Sequence, residues 1–110
     1  MRVDVSGHHV QATQALRKAV DRKLKRIHKH FPKLGRLNAK LKVENKIHNI
    51  EIDTQYSGRH FSVKAKGKNM YAAIADASNK LHEALLRQKE HTLARRQRSL
   101  DYSWQDAEAS

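Results

Sequence analysis

The chain of 110 residues has no cysteine, one proline, four glycines and eleven acidic residues. Without cysteine, disulfides and thiolate zinc sites are excluded, which fits a reducing compartment. Long apolar runs are also missing. Met1 to Gly7 alternates apolar and polar residues, so it reads as neither a signal peptide nor a membrane span, and a cytoplasmic location is expected. Nor is there a GxSxG, a P-loop or a nucleophile–base arrangement, and Glu51 and Asp53 do not form a catalytic pair. None of the eight histidines has a partner four residues away, the spacing by which a helix grips a metal. The expectation is a protein that is not an enzyme and has no cofactor and no metal.

What the chain has in excess is positive charge: 23 Lys and Arg, and a net charge of +12. Like charges repel in a compact fold, so a polyanionic partner is the simplest reason to carry them. The candidates are RNA, DNA or an anionic membrane surface. The charge is uneven. Residues 99–110 hold Asp101, Asp106 and Glu108 and no Lys or Arg, so the body is more basic than the whole chain. The expected organisation is a basic RNA-binding domain over 1–95 and a flexible tail over 96–110. Two aromatics of that tail are Tyr102 and Trp104.

Apolar residues, 38% of the chain, are patterned for one modest core. Val3 and Val5 alternate with polar neighbours, predicting a short strand ending near Gly7. Thr13 is placed to cap a helix whose apolar positions are Leu16, Val20, Leu24, Ile27 and Phe31. Pro32 and Gly35 stop it. Three more strands are predicted: one through Leu37 to Val43, one through Ile50 to Tyr56, and one through Phe61 to Ala65. Ser57-Gly58 marks a tight turn. Asn69 is placed to cap a second helix with an apolar face through Met70, Tyr71, Ile74, Ala77, Leu81, Ala84 and Leu85. The fold class is α+β: a two-layer βαβββα sandwich with a four-stranded, mostly antiparallel sheet and both helices on one face.

On a helical wheel of the first helix, Lys18, Arg22, Lys25, Arg26 and Lys29 fall in a sector about 100° wide, opposite the apolar stripe. Residues 12–31 contain one acid, Asp21. Solvated helix faces usually mix signs, because i,i+4 pairs of opposite charge support them. A stripe of one sign points to phosphates. In the second helix, Lys80, Arg87 and His91 recur at i, i+7 and i+11, and Lys89 and Arg95-Arg96-Gln97-Arg98 follow. The chain has two Phe, three Tyr and one Trp. Phe31, Tyr56, Phe61 and Tyr71 are expected in the core, which argues against an aromatic stacking platform and for recognition of RNA shape and backbone.

The stretch Asn69-Met70-Tyr71-Ala72-Ala73-Ile74, followed by Lys80-Leu81 and Leu85, carries a family resemblance. So do Gly7-His8-His9-Val10, Ala15-Leu16-Arg17, Lys23-Leu24 and Leu41-Lys42-Val43-Glu44. In order and spacing these resemble the short hibernation promoting factors and ribosome-associated inhibitors of bacteria, the sigma-54 modulation protein family, over roughly residues 1–92. The resemblance implies a double-stranded-RNA-binding-like fold. It implies docking on small-subunit 16S rRNA in the channel used by messenger and transfer RNA, and translation blocked during stress or stationary phase. It further implies 70S or 100S ribosomes as partners, a functional link to a ribosome-dimerising helper protein, no membrane, and a monomer when free. Lys23, Arg26, Lys80, Arg87 and Lys89 match basic positions of the family, and Tyr71 and Ile74 match core positions. Ala75 stands where the family usually has Asp, Glu83 where a basic residue is common, and Asn45 where Lys is frequent, with Lys46 beside it. A general RNA-binding module or RNA chaperone shares the electrostatics and remains the alternative.

Overall fold

The computed structural model describes the backbone of residues 2–109 and the side chains of residues 2–91 and 93. The elements follow in the order β1 (Val3–His8), α1 (Gln14–His30), β2 (Leu37–Glu44), β3 (Ile47–Tyr56), β4 (Arg59–Gly67) and α2 (Met70–Ala109). The sheet order is β1-β2-β3-β4. β1 pairs parallel with β2, an arrangement that requires a crossover, and α1 is that crossover. The β2–β3 and β3–β4 pairs are antiparallel.

Register determines which side chains reach the helices. Val5 lies opposite Ala39, Ala39 opposite Ile52, and Ile52 opposite Val63, so the apolar alternations of all four strands fall on one face. Val20, Leu24, Leu37, Leu41 and Ile52 keep no exposed surface there, and Leu81 and Leu85 of α2 complete the core. Each such side chain contributes roughly 1.5–3 kcal/mol on leaving water. The expected βαβββα order and two-layer sandwich are the observed ones, with a mixed sheet of one parallel and two antiparallel pairings.

Both helix starts are capped as the sequence suggests. The Leu16 amide donates to Thr13 Oγ1 at 3.2 Å, and the Ala72 amide to Asn69 Oδ1 at 2.9 Å. Gly67 permits the close passage from β4 into α2, because a Cβ there would lie 2.9 Å from the Ala73 amide nitrogen.

Two details differ from expectation. β2 and β3 meet in a two-residue turn at Asn45-Lys46, with φ of 51° and 62°, so β3 begins at Ile47, ahead of Ile50. This left-handed pair matches the twist of a hairpin, and Asn tolerates it better than most residues. Asn45, a departure from the family pattern, thus has a turn role. Tyr71 is the other difference: it is 54% exposed and outside the core. It lies one residue, and so about 100°, beyond buried Met70, on the flank facing α1. Meanwhile α2 runs on through Leu93 to Ala109. The side chains of Tyr102 and Trp104 lie outside the described residues.

Truncating Ile52 to Ala is expected to cost about 2–5 kcal/mol by opening a cavity at the centre of the sheet. Removing the α2 cap with Asn69→Ala should cost about 1 kcal/mol. Urea unfolding should show the midpoint falling in that order, with little change in slope.

Candidate nucleic-acid interface

The two helices lie side by side on the inner sheet face and run in the same direction. The first part of α1 (Ala15 to Lys23) borders Tyr71 and Ile74 at the start of α2. The end of α1 meets α2 further along, where Phe31 lies 5.7 Å from the His82 ring and the Lys89 ammonium sits 5.7 Å over the Phe31 ring. Because α1 buries Leu16, Val20, Leu24 and Ile27 against the sheet, its opposite side must face solvent.

That side carries Lys18, Arg22, Lys25, Arg26 and Lys29, all exposed, with Lys23 half-buried toward α2. Lys25 is paired with Asp21 at 3.0 Å, and no other member of this group has an ion pair among the described residues. An exposed i,i+4 bridge contributes only tenths of a kcal/mol, so Lys25 can exchange Asp21 for a phosphate at little cost. His30 and His82, with ring centroids 5.8 Å apart, extend the same surface toward Lys89.

The basic residues of α2 divide between its two flanks. Lys89 belongs with the α1 stripe, through its contact with Phe31. Lys80 lies on the other flank, over the β4 edge: its ammonium donates to the Lys64 carbonyl at 3.1 Å and pairs with Asp76 at 3.2 Å. Arg87 shares that flank and pairs with Glu83 at 3.9 Å. His91 is exposed one further turn along. Glu83, another departure from the family pattern, therefore faces Arg87, while Lys80 is held by Asp76. The ten basic residues singled out in the sequence thus form a main surface on α1 with Lys89, and a second group at the β4 edge.

Sequence reasoning missed two further features. Tyr71 stands open beside Lys18, Arg22 and Lys23 in the groove between the helices. Its apolar character and its place near Met70 disguised it as core. On the outer sheet face, a groove of about 770 Å³ is lined by His8, Lys40, Lys42, Lys64 and Lys66, interleaved with Glu44, Asn49 and Glu51. The polar positions of each strand alternation carry that signal.

Residues 3–92 match the family model described as sigma 54 modulation protein / S30EA ribosomal protein. The chain is similar to the ribosome hibernation promoting factor of Azotobacter vinelandii, with 34% identity over 97 residues, 88% of this chain and 91% of that one. The factor of the same name from Pseudomonas putida is 38% identical over 90 residues, 82% of this chain and 88% of that one. Among solved structures, the Thermus thermophilus Protein Y N-terminal domain superposes with a TM-score of 0.73 at 26% identity, covering 79% of this chain and 98% of that one. A ribosomal subunit interface protein from Coxiella burnetii superposes with a TM-score of 0.77 at 20% identity, covering 82% and 99%, and shares the fold.

If phosphates lie along the helix face, Arg22→Glu with Arg26→Glu should weaken RNA binding strongly, and Lys80→Glu with Arg87→Glu much less. Removing one phosphate neutralisation should lower the slope of log K against log salt by about 0.7–0.9. Titrations at several salt concentrations check both expectations, with circular dichroism to establish that each variant is folded.

Proposed function

Because the chain belongs to the sigma 54 modulation protein / S30EA ribosomal protein family, we propose that it binds the small ribosomal subunit and holds ribosomes inactive. The observation that carries this reading is the exposed arc of one sign on α1, packed rigidly on a sheet and free of acids except Asp21. Relatives at 34% and 38% identity bear the name ribosome hibernation promoting factor, and this chain spans most of their length.

On this reading the partner is 16S rRNA, contacted through phosphates by Lys18, Arg22, Lys23, Lys25, Arg26, Lys29 and Lys89. Lys80, Arg87 and His91 make a secondary set of contacts from the β4 edge. The site is the channel where messenger and transfer RNA run. The inhibition is competitive and steric: a compact cationic body occupies a space that two polyanions need, and the same rRNA phosphates cannot be neutralised twice. No bond is made or broken, so the role is non-enzymatic, and it is performed in the cytoplasm on 70S or 100S particles. The free protein is a monomer whose charge keeps copies apart. Each ribosomal contact releases condensed counterions, which makes docking sensitive to salt.

The experiment is a sucrose gradient of ribosomes with and without the protein. The protein should travel with the small subunit and with 70S particles, be displaced by excess transfer RNA, and reduce translation in a cell-free system. Binding to ribosomes and to unrelated RNA with equal affinity, without competition by transfer RNA, would instead mark a general RNA-binding module. Truncation after Arg98 should raise the share of 100S particles when a ribosome-dimerising helper protein is present.

A further inference from the structure

The groove between the first turns of α2 and the facing part of α1 has a volume of about 390 Å³. Its floor is apolar, with Ala19 and Ile74, and its rim is cationic, with Lys18, Arg22 and Lys23. Tyr71 stands in it. Phe31 is buried to 2% exposure, and Tyr56 and Phe61 pack against the core, whereas Tyr71 keeps 54% of its surface open. Among the described residues it is the only exposed Phe, Tyr or Trp. Its hydroxyl makes no hydrogen bond among those residues.

An open aromatic ring gives up the stabilisation that burial would supply. Ordinary surface packing, with the ring lying along the stems of Lys18 and Lys23, would recover part of it. The chemistry of the groove offers more. An aromatic face stacks on any nucleobase, and cations beside it take the phosphates on either side of that base. The small side chains of Ala15 and Ala19 leave room above the floor for a flat ring. A base inside a duplex has no free face, so the ligand must present one outside a helix, as RNA loops, bulges and ends do.

We propose that Tyr71 stacks on one unpaired nucleobase of the RNA, while Lys18, Arg22 and Lys23 hold the adjoining phosphates. The inference rests on the reading of the helix face as the RNA surface, and adds to it a contact that senses base exposure. Tyr71 is then a specificity residue: it favours rRNA with a flipped or looped-out base over uniform duplex of the same charge.

The test measures binding to purified small ribosomal subunits at several salt concentrations for the parent, Tyr71→Phe, Tyr71→Leu and the Arg22→Glu/Arg26→Glu double variant. Tyr71→Phe keeps the ring and should bind like the parent. Tyr71→Leu keeps apolar bulk and helix propensity but has no π-face, and should bind about ten-fold more weakly. Its salt slope should match the parent's, because stacking releases no counterion. A Tyr71→Leu variant that binds like the parent would overturn the stacking proposal, as would weaker binding accompanied by a changed slope. If the double variant also binds like the parent, the helix face is not the RNA surface and the functional reading itself falls. Weakening in the double variant with none in Tyr71→Leu removes only the stacking contact.

Discussion

The burial of one stripe of α1 against the inner face of the sheet governs everything else in this molecule. Val20 and Leu24 are fully shielded from water by strands that present Leu37, Leu41 and Ile52 on that face. A helix has only one opposite side, and on α1 that side is where the lysines and arginines recur. Burying Val20 and Leu24 and displaying Arg22 and Lys25 are therefore one geometric event. The parallel β1–β2 pairing reinforces it, because the crossover forces α1 onto the sheet instead of leaving it free to roll.

This coupling also bears on stability. A net charge of +12 on 110 residues opposes compaction, and the Lys and Arg ion pairs that the described residues form are exposed ones of small individual value. The fold tolerates its repulsion through apolar burial. Few acids lie on the helix face, so the positive field there is not cancelled internally. A partner that supplies phosphates relieves the repulsion that folding leaves in place, and binding and stability should rise together.

Much of the fold was legible in the sequence because its signals are local and periodic. The alternation at Val3-Val5, Leu37-Val43 and Ile50-Tyr56, the 3.6-residue repeat from Leu16 to Phe31, and the caps at Thr13 and Asn69 each mark one element. The Asn45-Lys46 turn was harder to read, since Lys46 adopts a positive φ without being glycine. The single-sign stripe on α1 was equally legible, because a helix that buries one stripe exposes the other. Helix two was not. Its basic residues belong to two flanks, and only packing against α1 and β4 shows that Lys89 sits over Phe31 while Lys80 reaches the Lys64 carbonyl. Tyr71 eluded sequence reasoning for a related reason. Its neighbours in the pattern are buried, and its exposure follows from its position about 100° round the helix from Met70.

On the proposed reading, these placements bear on how a surface with one exposed Phe, Tyr or Trp among the described residues would discriminate among RNAs. Cations alone follow charge density and would take any duplex. Rigid spacing of Lys18, Arg22 and Lys29 along α1 narrows the choice, because an RNA backbone must present phosphates at matching intervals over about three turns of helix. The lysines of the outer sheet face are arranged differently: Lys40 and Lys64 lie on either side of Glu51, and Asn49 separates Lys42 from Lys66. That alternation lowers the field per unit area, so on the proposed reading long-range attraction would favour approach by the helix layer. The sheet then acts mainly as the rigid back that keeps the helix charges at fixed separation. On the proposed reading selectivity would come from spacing and from what lies between the charges, where the described residues form an open groove beside the exposed Tyr71 ring.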